Sequence, residues 1–117
     1  MLRHIGAPDD LVGIHFDLLL EDLHGCRTWR LPSVPVLDGK KVEVRISPVH
    51  SLDWLNRIEA KVSGGRGWVM RLEAGTYSGN LPIDQHDSVD LDLDSKSISG
   101  RLEIKDGFCR IYSFNSE

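Results

Sequence analysis

The stretch IHFDLLLED, residues 14–22, decides how this chain folds. It is an apolar run broken by two polar side chains, His15 and Asp17. Side chains of a strand alternate between its two faces, so His15, Asp17, Leu19 and Glu21 share one face and Phe16, Leu18 and Leu20 share the other. The second set reads as a core face. The first sets an imidazole and a carboxylate side by side, as a polar site requires.

The strand pattern continues outward from this run. DLHG (22–25) reads as a turn and CRTWRL (26–31) as the returning strand. PSVPVLDGK (32–40) has two prolines and an Asp-Gly turn, so it is a loop or an edge. KVEVRIS (41–47) alternates as one strand, with Val42, Val44 and Ile46 facing one way and Glu43 and Arg45 the other. SLDWLNRIEA (51–60) is the best helix candidate, with Ser51 as its cap. SGGRG (63–67) is a glycine turn, followed by WVMRLEAGTY (68–77) as a strand. SVDLDLD (88–94) alternates strictly, and residues 99–114 form a closing hairpin around an Asp-Gly turn. About seven short strands and one or two short helices predict a mainly β protein. The expected form is a single domain over residues 1–117, a small antiparallel β-barrel with a polar site at one mouth.

Composition bounds the function. The chain has 40% apolar and 27% charged residues, ordinary for a globular domain. A formal net charge of -4 argues against broad coating of nucleic acid, which needs many Lys/Arg–phosphate contacts. It leaves room for local binding of one phosphate or one nucleic-acid end. No apolar run approaches the roughly 20 residues of a membrane span. MLRHIGAPDDLVG has no apolar signal core. Cys26 and Cys109 fit no zinc spacing, so a cytoplasmic location with reduced, structural thiols is expected.

His15 and Asp17 can hold one divalent metal through nitrogen and oxygen. A third ligand must then come from His4, His24, His50 or His86. The plainer alternative is a partly buried histidine bonded to its neighbouring carboxylate. Glu21, on the same face, suits either the orientation of a ligand or a solvated strand end. The glycines around Arg66 would let backbone approach an anion, although the loop is no Walker motif and an exposed arginine in a glycine turn reads equally well. Arg27, Arg30 and Arg71 sit in strands or at strand ends, where any of them could neutralise a phosphate oxygen. The aspartates of DLDLD lack the spacing of a calcium loop and read as a solvated sheet face. Trp29, Trp54 and Trp68 read as packing residues. No Ser or Cys sits in a nucleophile motif.

These blocks carry a resemblance. HFDLLLE resembles the H-x-D-x-x-L-E signature of the 3′-phosphoesterase domain of bacterial DNA ligase D. CRTWRLP is similar to that family's strand with Trp and Pro, and residues 50–77 to its segment with a His, an aromatic four residues on, an acidic residue, a glycine-rich turn and a G-T-Y/W strand. The likeness runs from about His4 to Tyr77, with a compatible final hairpin, and is greatest to the small stand-alone members. It implies a small β-barrel that uses a divalent metal, manganese first and zinc or cobalt otherwise, in DNA repair. The implied activity removes a 3′-terminal ribonucleotide and hydrolyses the resulting 3′-phosphate. The implied partners are a nucleic-acid 3′ end, of DNA or a DNA–RNA junction, and a repair ligase or polymerase, with no membrane.

Carried over by position, the resemblance makes His15 and Asp17 metal ligands. The remaining ligand is His4, the one upstream histidine, which places an insertion within residues 5–14. His50 matches a later active-site histidine and would contact the phosphate or protonate the leaving oxygen, with Glu21 in a supporting catalytic role. Three positions depart from the family. Leu19 stands where the fused domains have a phosphate-binding arginine, Trp54 where they have tyrosine, and Ser33 where they have lysine. Phosphate binding would then fall to Arg30, Arg66 or Arg71. The alternative expectation is a metal-containing module that binds nucleic-acid ends or a repair partner without turnover.

Overall fold

The computed structural model describes residues 1–5, 13–61 and 68–114. Eleven strands and one 3-10 helix occur among them. A first sheet has the strand order β5-β3-β2-β1-β7-β6: β1 is Leu2–Ile5, β2 Ile14–Glu21, β3 Cys26–Leu31, β5 Arg45–His50, β6 Glu59–Lys61 and β7 Trp68–Arg71. A second has the order β4-β11-β10-β9-β8: β4 is Val42–Glu43, β8 Gly75–Ser78, β9 Val89–Ser95, β10 Ser99–Lys105 and β11 Phe108–Tyr112. Neighbouring strands pair antiparallel throughout. The mainly β, antiparallel expectation therefore stands. The described pairings form two open sheets, and no single ladder closes on itself among the described residues.

The core lies between the sheets. Leu18, Leu20, Trp29 and Leu31 come from the first sheet, and Val89, Leu91, Leu102, Ile104, Cys109 and Ile111 from the second. Period-two alternation sends these residues inward, and burying each large one contributes about 1.5–3 kcal/mol. The same alternation turns Asp90, Asp92 and Asp94 out to solvent, as expected for an outer sheet face. The hairpin turn is also as read. Asp106 and Gly107 take φ of 54° and 82°, the left-handed pair that a two-residue turn demands.

Three readings change. KVEVRIS is two strands: β4 pairs with β11 in the second sheet and β5 with β3 in the first, and Val44 marks the passage with its N–H on the Gly107 carbonyl. WVMRLEAGTY likewise divides into β7 in one sheet and β8 in the other. The helix candidate over 51–60 is a five-residue 3-10 helix, Leu52–Asn56, followed by β6. Ser51 caps it as read, its hydroxyl accepting from the Asp53 N–H. None of its residues is buried, so no apolar stripe holds a longer α-helix in place. The SGGRG turn with Arg66, and most of the expected insertion, lie outside the described residues.

One connection shapes the site. Strands β5 and β6 are opposite edges of the first sheet, and residues 51–58 join them. The 3-10 segment between them lies close to β2. It is tied down along the way. Cys26 Sγ lies 3.8 Å from the Ser51 carbonyl oxygen, and Arg71 Nη1 donates to the Leu55 carbonyl oxygen at 3.5 Å.

Candidate functional site

Residues directly paired across antiparallel strands project to the same face, so the register lays out the outer face of the first sheet row by row. One row runs Val69–His4–His15. The next runs Arg71–Leu2–Asp17–Arg30–Arg45 over five strands. Beyond it come Leu19–Thr28–Ser47 and then Glu21–Cys26–His50. The β2 face that carries His15 and Asp17 is thus continuous with the polar outer face of the sheet. Its opposite face, Leu18 and Leu20, is in the core.

His4, His15 and Asp17 converge. The pairing of His4 opposite His15 brings the two rings to 4.7 Å between centroids at 61°. His15 Nε2 is 3.3 Å and His4 Nδ1 3.9 Å from Asp17 Oδ2. One ligand atom from each of the three lies within 4.8 Å of the others, a group that could hold a metal ion. Two ligands about 2.1 Å from one ion stand at most about 4.2 Å apart, so small side-chain rotations would complete the set. The side chains of His15 and Asp17 are almost fully buried, that of His4 12% exposed. Asp17 Oδ1 is buried with no hydrogen-bond partner among the described residues. An unpartnered buried carboxylate oxygen is costly, and a cation is the group that offsets it. Two imidazoles and a carboxylate suit manganese, zinc, cobalt and other first-row ions alike.

Of the four histidines open as a third ligand, the fold selects His4. His24 is exposed in the turn after β2, and His86 is exposed in the loop before β9. His50, at the end of β5, is on the same face but two rows from Asp17. Its Nδ1 is 3.0 Å from the Pro48 carbonyl oxygen and 2.9 Å from Thr28 Oγ1. A carbonyl only accepts, so Nδ1 carries the proton, and neutral His50 keeps its lone pair on Nε2. Thr28 is buried and its hydroxyl donates to the Cys26 carbonyl oxygen, 3.0 Å away, which fixes its other side toward His50. The Trp54 ring stands edge-on to His50 at 6.4 Å.

The arginines separate. Arg30 is beside Asp17 and half-buried; Arg71 lies two strands from Asp17 on the other side of Leu2. Arg27 projects to the opposite face, where its Nε donates to Asp22 at 2.8 Å. The Leu23 N–H and then Arg27 hold the Asp22 carboxyl below its usual range. Glu21 is exposed at the end of β2, in the row of His50, and takes no part in the His4–His15–Asp17 group. Leu19, half-buried, follows Asp17 along the same face.

Sequence reasoning missed two residues. Arg45 extends the row that holds Asp17 and Arg30, and Thr28 orients His50. Arg45 was hidden by the change of sheet at Val44. Thr28 carries no signal, since threonine is common in strands. A cavity of about 1000 Å³ adjoins the site. Its walls include Leu2, Leu19, Leu52, Trp54, Leu55 and Arg71, and it reaches the core residues Leu18, Leu20, Leu102, Cys109 and Ile111 between the sheets. The three converging side chains lie beside it and do not line it.

The chain matches no known family model and no curated protein. Among the described residues, no helix is long and apolar enough to cross a membrane.

Proposed function

We propose that this protein is a metal-dependent phosphoesterase acting on nucleic-acid 3′ ends, removing a 3′-terminal ribonucleotide or 3′-phosphate in DNA end repair. The observation that carries this reading is the convergence of His4 with His15 and Asp17, with an orphaned carboxylate oxygen among them. The two sheets, joined through the passages at Val44 and residues 72–74, are compatible with a flattened barrel of the kind the resemblance to the ligase D phosphoesterase domain implies.

Each residue then has a task. His4, His15 and Asp17 would hold the metal, manganese first and zinc or cobalt otherwise. The bound cation would polarise a phosphate oxygen and activate water. Arg30, beside Asp17, offsets charge on the phosphate as the transition state develops. Arg71 approaches the same row from the other side. His50, its Nδ1–H held by Pro48, presents Nε2 as a proton carrier. Thr28 positions that ring. Glu21 lies nearer His50 than Asp17, so its support acts on the proton carrier. The partners are a DNA or DNA–RNA 3′ end and a repair ligase or polymerase, in the cytoplasm.

Leu19 favours one second reading. It puts an apolar side chain next to Asp17 where the resemblance implies a phosphate-binding arginine, as in a module that binds metal and nucleic-acid ends without turnover. A primer-template with a labelled 3′-terminal ribonucleotide, incubated with manganese, separates the two. Trimming by the wild type and none by His15→Ala supports the enzyme. Equal trimming by both proteins refutes it, and manganese-dependent end binding without trimming selects the module.

A further inference from the structure

We infer that Arg45 and Arg30 form a second phosphate site upstream of the reacting end, so that the substrate strand enters over β5 and crosses the strands toward Asp17. This inference rests on the 3′-end reading above and adds the path of the strand.

The register carries the argument. Arg45 pairs with Arg30, and Arg30 pairs with Asp17, so the two guanidinium-bearing residues stand in one row leading to the candidate metal group. Adjacent strands are about 4.8 Å apart, which puts the Arg45 backbone about 10 Å from that of Asp17. Arg45 is exposed at the sheet edge, Arg30 is half-buried, and Asp17 is buried, so the row descends from solvent to the site. The segment 51–58 is held to residues of this face at two points, by Cys26 at the Ser51 carbonyl and by Arg71 at the Leu55 carbonyl.

The charge pattern is local. The chain carries a formal net charge of -4, yet the row has two arginines on one side of Asp17 and Arg71 on the other. Arg71 is engaged with the Leu55 carbonyl, whereas Arg45 makes no ion pair or side-chain hydrogen bond among the described residues. Planar guanidinium groups bind phosphate oxygens in pairs of hydrogen bonds, which suits successive phosphates of one strand. An arginine on an edge strand can also serve to block edge pairing, a role that affects association of the protein with itself and not salt-dependent ligand binding.

The test compares wild type with Arg45→Ala by fluorescence anisotropy, using a 5′-labelled single-stranded oligonucleotide ending in 3′-phosphate and, as competitor, a nucleoside 3′-monophosphate. Manganese affinity and melting temperature are measured on the same proteins. The expected result is an oligonucleotide affinity about fivefold lower in Arg45→Ala, with the log–log salt slope reduced by about 0.7 for one lost single-strand phosphate contact. Competition by the mononucleotide shifts less, and Arg45→Lys recovers part of the loss. Unchanged oligonucleotide affinity and slope in Arg45→Ala, while His15→Ala abolishes turnover, overturns the inference and leaves the 3′-end reading standing. A wild type that neither binds nor cleaves any 3′ end overturns both.

Discussion

Asp17→Asn isolates what a metal held by His4, His15 and Asp17 would do for the fold. The substitution is isosteric, removes the negative charge and leaves one carbonyl oxygen as a poor ligand. Asp17 is nearly fully buried, with Oδ1 unpartnered, so the metal-free protein bears the cost of a buried carboxylate. An ion held by His4, His15 and Asp17 would join β1 to β2, a link absent from the unfolded chain. At a metal concentration 100 times the dissociation constant, binding to the folded state alone adds about 2.7 kcal/mol. For a domain of this size that raises the melting temperature by about 10 °C. Differential scanning calorimetry in chelator and then in excess manganese measures the shift. Wild type should gain about 10 °C. Asp17→Asn should gain none, and without metal should melt no lower than wild type. An equal metal-dependent gain in both proteins would refute the assignment of Asp17 as a ligand.

Three further predictions follow from the geometry. Thr28→Val keeps the strand and removes the hydroxyl against His50, so turnover should fall about 10- to 100-fold at unchanged manganese affinity, measured by steady-state kinetics beside metal titration. Gly100→Ala would press a methyl group into the Tyr112 carbonyl oxygen where β10 meets β11, and a urea melt should record a loss of about 1–3 kcal/mol. Burial pushes the Cys109 thiol up to about 12, so it stays protonated in the fold after it has ionised in the unfolded chain. The unfolded state then binds fewer protons, and stability should fall by about 1.4 kcal/mol per pH unit from about pH 9 to about pH 12. Cys109→Ala should lose that part of the alkaline slope in denaturant titrations.

The faces of β2 were legible because alternation is local. Whatever strand pairs with it, His15 and Asp17 project together and Leu18 and Leu20 oppose them. The Asp106-Gly107 hairpin was legible for the same reason, since a two-residue turn constrains only its own backbone. His4 needed more. Periodicity left four histidines open as the third ligand, and choosing among them required knowing that β1 lies beside β2 with His4 opposite His15. The arginine row depends on the register of four pairings at once. Val44 hid the change of sheet because the alternation of KVEVRIS runs through it unbroken while the hydrogen-bond partner changes from β11 to β3. The segment after β5 reads as an ordinary helix because a cap signal marks where a helix starts, not how far tertiary contacts carry it.

The central claim is tested most directly by phosphate release from an oligonucleotide 3′-phosphate, with protein first stripped of metal and then supplied with manganese. The account predicts no release from the stripped wild type, release on adding manganese, and none from His15→Ala under either condition. Release by the stripped protein at the full rate, or by His15→Ala as fast as by wild type, would contradict it.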